Sequence, residues 1–150
     1  MEFPFKEGEV DIIISEWMGY FLLYESMLDC VLYARDKFLN KKTGKMLPDR
    51  AQMFCAAIED SEFMGDKKAF WDDVYGVDMS VMTGGIFKDP MVDIVPPNNI
   101  MSDSCCILDL DLVKMDKKEV EFSNFYHLKM NYNDKVHALV FWFDVVFSDL

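Results

Sequence analysis

The chain has 150 residues, which suits one ordinary domain with a buried core, and its 51% hydrophobic and 15% aromatic content excludes the disordered class. Its net charge is −12, and no run of Lys and Arg is longer than a pair. A nucleic-acid partner is therefore not expected, because neutralising phosphates needs a basic surface. A solvated acidic face is the commoner meaning of such a charge, and a cationic substrate or partner is the alternative.

Sequence features indicate where the protein is located in the cell and whether it binds a metal ion or a membrane. The opening segment MEFPFKEGEV is acidic where a secretory leader is basic, so we expect an intracellular chain with reduced thiols. No CxxC occurs, and His127 and His137 lie ten positions apart without a cysteine at ligand spacing, so no metal site is expected. The longest apolar run has 12 residues with Asp144 inside, which is too short for a bilayer, and no membrane partner is expected.

A parallel strand followed by a helix is predicted within the first 40 residues. Residues 10–14, VDIII, form a β-branched run that is typical of a strand buried on both faces, usually in a parallel sheet. From Tyr24 onward apolar residues recur at spacings of three and four, which predicts an amphipathic helix ending before Asn40. Ligands bind outside the carboxyl ends of strands in open α/β sheets, so the loop between strand and helix is favoured as a site.

That loop, SEWMGYFLLYE, carries Glu16 and Glu25 nine positions apart in an almost uncharged aromatic run. In a straight helix or strand the two carboxylates would lie on opposite faces. Only a chain that doubles back would bring them together, and we expect the reversal at Gly19, which tolerates the backbone angles required. The stretch holds either two unrelated acids or a hairpin that directs two carboxylates to one point.

Period-two alternation after Gly44 predicts antiparallel strands. Residues 108–112 and 126–132 alternate apolar and polar side chains, which indicates strands with one solvated face. Residues 135–147 include a stretch that is apolar on both faces and needs cover from another layer. One further strand is predicted over residues 52–59.

Residues 61–92 interrupt this alternation with a mixed, partly helical, aromatic-rich insertion. Such an insertion is either a cap on its own sheet or an arm that reaches a partner. From the residues alone the cap is favoured.

The string VDIIISEWMGYFLLYESML, continued by ARDKFL, PDR, AIED, VYGVDMS, KDPMVD and VHALVFWFDVVF, resembles the protein arginine N-methyltransferases, and closely their asymmetric-dimethylating, type I-like branch. The resemblance covers nearly the whole chain, and its most specific part is the double-glutamate loop SEWMGYxLxxExML. It implies an α+β fold. Residues 1–40 would be the strand-loop-helix end of a doubly wound S-adenosylmethionine domain, and residues 41–150 a partial antiparallel β-barrel. Residues 61–92 would be a dimerisation arm, which replaces the cap.

The resemblance also implies roles for individual residues. Glu16 and Glu25 would be catalytic, gripping the substrate guanidinium, with one of them accepting the proton lost on transfer. Met18, Tyr20 and Met27 match positions that line the guanidinium pocket, with Met27 controlling how many methyl groups are added. For the methionines, ordinary core packing is the alternative.

The implied cofactor is S-adenosyl-L-methionine, although the seven glycines include no GxGxxG and no cofactor-binding residue is assigned. The implied partners are arginine-containing proteins, such as histone or Gly/Arg-rich tails, and a second copy bound through the arm. The resemblance implies location in cytoplasm and nucleus. Residues 10–39 in isolation are expected to leave a parallel-strand face without neighbours.

Three functions stay open at this point. The chain is a middle piece of an arginine methyltransferase and is inactive alone, or it is a shortened, non-catalytic interaction module derived from that family. The third alternative is an unrelated carboxylate-pair hydrolase. The complete double-glutamate string argues against the hydrolase.

Overall fold

The computed structural model describes residues 4–148. The strands and longer helices within this range are β1 (Ile12–Ile14), α1 (Leu28–Phe38), β2 (Lys45–Leu47), β3 (Arg50–Ile58), α2 (Ser61–Ala69), β4 (Cys105–Asp111) and β5 (Ala138–Val146). The chain divides into two compact units. The first comprises the described residues up to Cys55, residues 105–127 and those from 141 onward, and the second comprises 56–104 and 128–140.

A two-stranded parallel sheet begins the first unit. β1 pairs with β2 in parallel, with Ile12 opposite Lys45 and Ile14 opposite Leu47. The predicted parallel strand is confirmed, but the prediction that both of its faces are buried is wrong. Ile12 is 52% exposed and Ile14 is 76% exposed. The physical reason is that, in the part of the chain that the structure describes, β1 has one neighbouring strand and no covering layer on that face.

Helix α1 starts four residues later than the periodicity predicts. Turns occupy residues 20–25, and Ser26 has a left-handed backbone with φ of 55°, so regular helical hydrogen bonding is established only from Leu28. The predicted end before Asn40 is confirmed, because Leu39 is already extended. The helix buries one face through residues spaced three or four apart, as predicted for an amphipathic helix. These residues are Leu28, Leu32, Arg35 and Phe38.

Arg35 is the charged member of that buried face. Its Nη1 donates a hydrogen bond of 2.9 Å to the carbonyl of Leu112, and its Nε donates one of 2.8 Å to the carboxylate of Asp36. The guanidinium thereby satisfies a carbonyl whose residue is fully buried. This contact joins α1 to the segment that follows β4.

The antiparallel sheet has the strand order β4-β3-β5. β3 and β4 pair from Arg50 opposite Asp111 to Cys55 opposite Cys105, with a register shift between Met53 and Phe54. The predicted antiparallel strands over 52–59, 108–112 and 135–147 are confirmed, with slightly different ends. Within residues 4–148 the sheet is open and does not close into a barrel.

Polar pairs occupy the solvated face of this sheet. The guanidinium of Arg50 makes a two-pronged ion pair with Asp109, and Gln52 Nε2 donates to the same carboxylate at 3.1 Å. Hydrogen bonding from Arg50 lowers the pKa of Asp109 below its ordinary value. This arrangement confirms the alternation predicted from Leu108, Asp109 and their neighbours.

The prediction of a strand over residues 126–132 is wrong. Only one isolated bridge forms, between Ser102 and Met130, with a hydrogen bond of 2.9 Å from the Asp103 N–H to the Lys129 carbonyl. Tyr126 and Met130 both stay at least 40% exposed, so alternation in this segment does not bury a face. Without a buried face there is little to hold a strand in register.

The insertion over 61–92 belongs to the second unit and contains α2 and two short 3₁₀ helices, Phe70–Asp72 and Ser80–Gly84. Asp60 caps α2, because its carboxylate accepts a hydrogen bond of 3.1 Å from the Phe63 N–H. The partly helical character predicted for the insertion is confirmed. No residue of 61–92 is buried, so the insertion buries none of its own large apolar side chains.

Candidate functional site

The loop between β1 and α1 reverses direction tightly. Gly19 and Leu22 form an antiparallel bridge, in which the Gly19 N–H donates to the Leu22 carbonyl at 3.1 Å. Hydrogen bonds close two further turns. The Tyr24 N–H donates to the Tyr20 carbonyl, and the Ser26 N–H donates to the Leu23 carbonyl. We call residues 16–25 the double-glutamate turn.

Gly19 lies in this reversal for a reason that differs from the one the sequence suggests. The left-handed backbone angles fall at Phe21 and Leu22, with φ of 52° and 61°, and not at Gly19. A Cβ added at Gly19 would lie 2.9 Å from Cγ of Glu25 and 3.1 Å from its Cδ. Gly19 is therefore needed for space. The Glu25 side chain packs directly against the backbone of Gly19. Gly19 lies three positions after Glu16 in the chain.

Two buried side chains anchor the double-glutamate turn. Trp17 and Leu22 are each 1% exposed, whereas Glu16 and Glu25 are exposed. Left-handed angles at non-glycine residues such as Phe21 and Leu22 cost about 1–3 kcal/mol each, so burial of the anchors must hold the turn in this shape. The result is a fixed backbone that carries two solvent-facing carboxylates.

The carboxylates of Glu16 and Glu25 are free of protein partners in the described part of the chain. Neither accepts a hydrogen bond or forms an ion pair there. Two acids with unused acceptor oxygens, on a turn anchored by buried side chains, suit a cation that donates several hydrogen bonds.

The three residues predicted to line the pocket lie on or beside the same turn. Met18 and Met27 are half-buried, and Tyr20 is 63% exposed. Met27 is the residue immediately before the first turn of α1. Because neither methionine is fully buried, core packing leaves part of each side chain available for contact.

An aromatic contact that the sequence analysis missed supports the double-glutamate turn. The ring of Phe21 meets the ring of Phe141 on β5 edge-on, with centroids 5.1 Å apart. Such pairs contribute about 0.5–1.5 kcal/mol beyond the area they bury. Nothing in the local sequence signals a pairing across 120 positions.

A cleft of about 560 Å³ adjoins the double-glutamate turn and was also missed by sequence reasoning. Its walls come from the end of the turn, the start of α1 and the segment after β4, where Lys117 Nζ pairs with Asp29 at 2.8 Å. The segment after β4 carries no strand periodicity, and its 3₁₀ helix, Lys117–Val120, starts at a capping box formed by Asp116 and Glu119. The cleft is lined by Leu23, Ser26, Leu28, Asp29, Asp116, Lys117, Lys118, Val120 and Glu121.

Among residues 4–148, no group of three or more His, Cys, Asp or Glu side chains is arranged to hold a metal ion. In the same range, neither helix has the length and apolar character that crossing a membrane requires.

Comparison with known proteins identifies the family to which the chain belongs. A family model described as the arginine methyltransferase oligomerization subdomain matches residues 49–150. Protein arginine N-methyltransferase 1 of Schizosaccharomyces pombe is 51% identical over 93% of this chain and 41% of its own length. The Dictyostelium discoideum protein of the same name is 49% identical with the same coverage. The chain thus spans about two fifths of the length of these relatives.

Solved structures give the same result. The Trypanosoma brucei PRMT1 enzyme–prozyme heterotetrameric complex with AdoHcy superposes with a TM-score of 0.80 at 37% identity, covering 94% of this chain and 44% of that one. Arabidopsis thaliana protein arginine methyltransferase 10, described in a uniquely open conformation, gives a TM-score of 0.65 at 32% identity, covering 97% and 47%. The resemblance inferred from the double-glutamate loop is confirmed, and the chain belongs to the protein arginine methyltransferase family.

Proposed function

We propose that this chain supplies the guanidinium-binding part of a protein arginine N-methyltransferase, in which a methyl group passes from S-adenosyl-L-methionine to a nitrogen of a protein arginine. The observation that carries the proposal is the double-glutamate turn. It presents Glu16 and Glu25 to solvent without protein partners, on a backbone held by buried Trp17 and Leu22.

The chemistry required of the two acids follows from the substrate. Arginine stays protonated near neutral pH, with a pKa above about 12, so its nitrogens are poor nucleophiles. Two carboxylates that accept fork-like hydrogen bonds fix the plane of the guanidinium and turn one nitrogen toward the incoming methyl group. One carboxylate of the pair then takes the proton that the nitrogen loses.

The negative charge of Glu16 and Glu25 has a second use. S-adenosylmethionine supplies the methyl group from a positively charged sulfonium, which repels a cationic arginine. Two unit charges 4 Å apart interact by about 4 kcal/mol at an effective dielectric constant of about 20. Two carboxylates beside the guanidinium offset a repulsion of that size, and a neutral site would not.

The residues of this chain fit the sulfonium side of such a cofactor and not its nucleoside side. The unpartnered acids and the exposed ring of Tyr20 suit a cation. The seven glycines contain no GxGxxG turn to cradle the rest of the molecule. We therefore propose that this chain binds and orients the guanidinium, and that it transfers no methyl group unless a cofactor-binding domain is supplied.

The pocket residues refine the arginine site. Tyr20 offers a ring face or a hydroxyl to the cation, and Met18 contributes a flexible apolar wall. Met27, fixed at the start of α1, limits the space beside the target nitrogen and so the number of methyl groups added. The neighbouring cleft, which has both acidic and basic walls, accommodates residues flanking the arginine in histone or Gly/Arg-rich tails.

The remaining regions have proposed structural roles. Residues 1–40 form the end of the cofactor domain and residues 41–150 a partial β-barrel, of which the three-stranded sheet is one part. The insertion over 61–92 serves as a dimerisation arm. The match to an oligomerization subdomain and the unburied Tyr75, Val77 and Val81 support this role.

A non-catalytic interaction module is the second candidate function, and one observation favours it. The Trypanosoma brucei structure that resembles this chain is a complex of an enzyme with a prozyme. A chain of this family that pairs with a separate enzyme would use the arm and the sheet without performing the transfer itself.

The decisive experiment replaces each acid by its isosteric amide. Glu16→Gln and Glu25→Gln, made in the natural protein that contains this chain, should each lower methyl transfer from S-adenosylmethionine to a Gly/Arg-rich peptide roughly hundredfold or more. Glu7→Gln is the matched control, since Glu7 is an exposed acid outside the site, and it should leave the rate unchanged.

The outcomes separate the two functions. A Glu25→Gln protein that keeps its rate contradicts the role of the double-glutamate turn. A natural protein that shows no transfer under any condition, yet changes the rate of a co-purified relative, supports the interaction module.

A further inference from the structure

Two cysteines face each other across the antiparallel pair β3/β4. Cys55 is the register partner of Cys105, and both are free thiols in this structure. Directly opposed residues in antiparallel strands have Cα atoms about 4.5 or 5.5 Å apart, and disulfides form at Cα separations of about 4.4–6.8 Å. The register therefore places the two cysteines at a Cα separation that is compatible with a disulfide.

The two thiols differ in access. Cys55 is fully buried, and burial, followed by the proximity of Cys105, raises the pKa of its thiol. Cys105 is partly exposed, and its Sγ makes only a weak contact of 3.7 Å with the Cys106 carbonyl. A soluble oxidant therefore reaches Cys105 before Cys55. The Cys55 thiol stays reduced beside it and can react in a second step.

The adjacent Cys106 does not compete for Cys55. Side chains alternate along a strand, so Cys106 points to the other face of β4, where its register partner is Phe54. Its Sγ instead donates to the Leu108 carbonyl at 3.3 Å. Cys106 and the exposed Cys30 of α1 thus serve as internal controls.

We propose that Cys55 and Cys105 are a peroxide-oxidisable dithiol that closes to a reversible cross-strand disulfide. The Cys105 thiolate attacks hydrogen peroxide, forming an S–O bond while the O–O bond breaks, and the departing hydroxide becomes water by taking up the proton that the thiol lost. The Cys55 thiol then attacks the sulfenic sulfur. An S–S bond forms, the S–O bond breaks, and the oxygen leaves as a second water with the Cys55 proton.

The disulfide has a defined structural consequence. Cys55 and Cys105 border the segment 56–104, which includes α2 and the exposed insertion. A bond between them closes a loop of about 50 residues and removes much of the conformational freedom which that loop gains on unfolding. Oxidation should raise the Tm by on the order of 5–15 °C, and a thiol reductant should reverse the rise.

The test treats the whole chain with hydrogen peroxide and maps its peptides without reduction. The expected result is a linked pair of peptides containing Cys55 and Cys105, a mass loss of two hydrogens and the rise in Tm. Cys30→Ser and Cys106→Ser should behave like the unaltered chain. Cys55→Ser should leave Cys105 as a sulfenic acid, trapped by a 1,3-diketone, without the rise in Tm.

Three results would overturn the proposal. In the first, Cys105 links to Cys106 in place of Cys55. In the second, Cys55 stays fully alkylatable after peroxide treatment and denaturation. In the third, the Cys106→Ser chain fails to form the linked peptides while it remains folded.

Discussion

Gly19→Ala separates the placement of the Glu25 carboxylate from the stability of the chain. The new methyl group would lie 2.9 Å from Cγ of Glu25, whereas carbon atoms normally pack about 3.5–4.0 Å apart. Rotation of the exposed Glu25 side chain relieves the contacts with its Cγ and Cδ. The Glu25 Cβ would also lie 3.0 Å from the new methyl group and moves only with the backbone, so the turn must shift slightly as well.

The structure sets the size of each effect. An off-rotamer side chain costs about 0.5–1.5 kcal/mol, and overpacking of a rigid core costs about 1–3 kcal/mol. Because both the Glu25 side chain and its backbone must give way, the free energy of unfolding should fall by about 1–3 kcal/mol. Displacing a catalytic group by about 1 Å can cost roughly a hundredfold in rate, so methyl transfer should fall by about that factor while the protein remains folded.

Two assays on the same variant measure these effects. Urea unfolding gives the free energy of unfolding, and transfer of methyl groups to a Gly/Arg-rich peptide gives the rate in the natural protein. Gly65→Ala is the control for unfolding, because a Cβ at Gly65 meets nothing within 4 Å. A Gly19→Ala protein with a normal rate, or one destabilised by 4 kcal/mol or more, would refute the packing argument.

Two further predictions concern charged residues of the first unit. Arg35→Met keeps the buried stem but removes the donor to the Leu112 carbonyl, and it should lower the free energy of unfolding by about 2 kcal/mol in urea. Asp36→Ala, which alters only the exposed partner of Arg35, should cost less than about 1 kcal/mol. Because Arg50 lowers the pKa of Asp109, this carboxylate stabilises the fold above its unfolded pKa of about 3.9, and the effect is lost as the pH falls through the folded value. The Tm of Asp109→Asn should therefore vary less with pH below about pH 4 than that of the unaltered chain, and equal slopes would contradict the pairing.

The local sequence pattern predicted those secondary structure elements whose conformation is determined by a single stretch of the chain. The β-branched run gave the parallel strand, and apolar spacing gave the buried face and the end of α1. The same spacing placed the helix start too early, because periodicity does not report the turns that occupy the residues before Leu28. Alternation likewise failed over 126–132, where no packing partner buries one face.

The sequence predicted the chain reversal that carries the candidate site, but not how that reversal is built. The spacing of Glu16 and Glu25 required a reversal, and the reversal occurs. The reason for Gly19 is the space that Glu25 occupies, which depends on a side-chain position that no backbone rule supplies. The contact between Phe21 and Phe141 and the cleft beside α1 join distant segments, and residue spacing alone carries no signal of either.

Methyl transfer by the natural protein tests the central claim most directly. The protein that contains this chain would be purified from its source and incubated with S-adenosylmethionine and a Gly/Arg-rich peptide, and the peptide mass would be measured. The account predicts the addition of methyl groups to arginine and none to a matched peptide with lysine in place of arginine. Methylation of both peptides, or of neither in the presence of an intact cofactor domain, would contradict it.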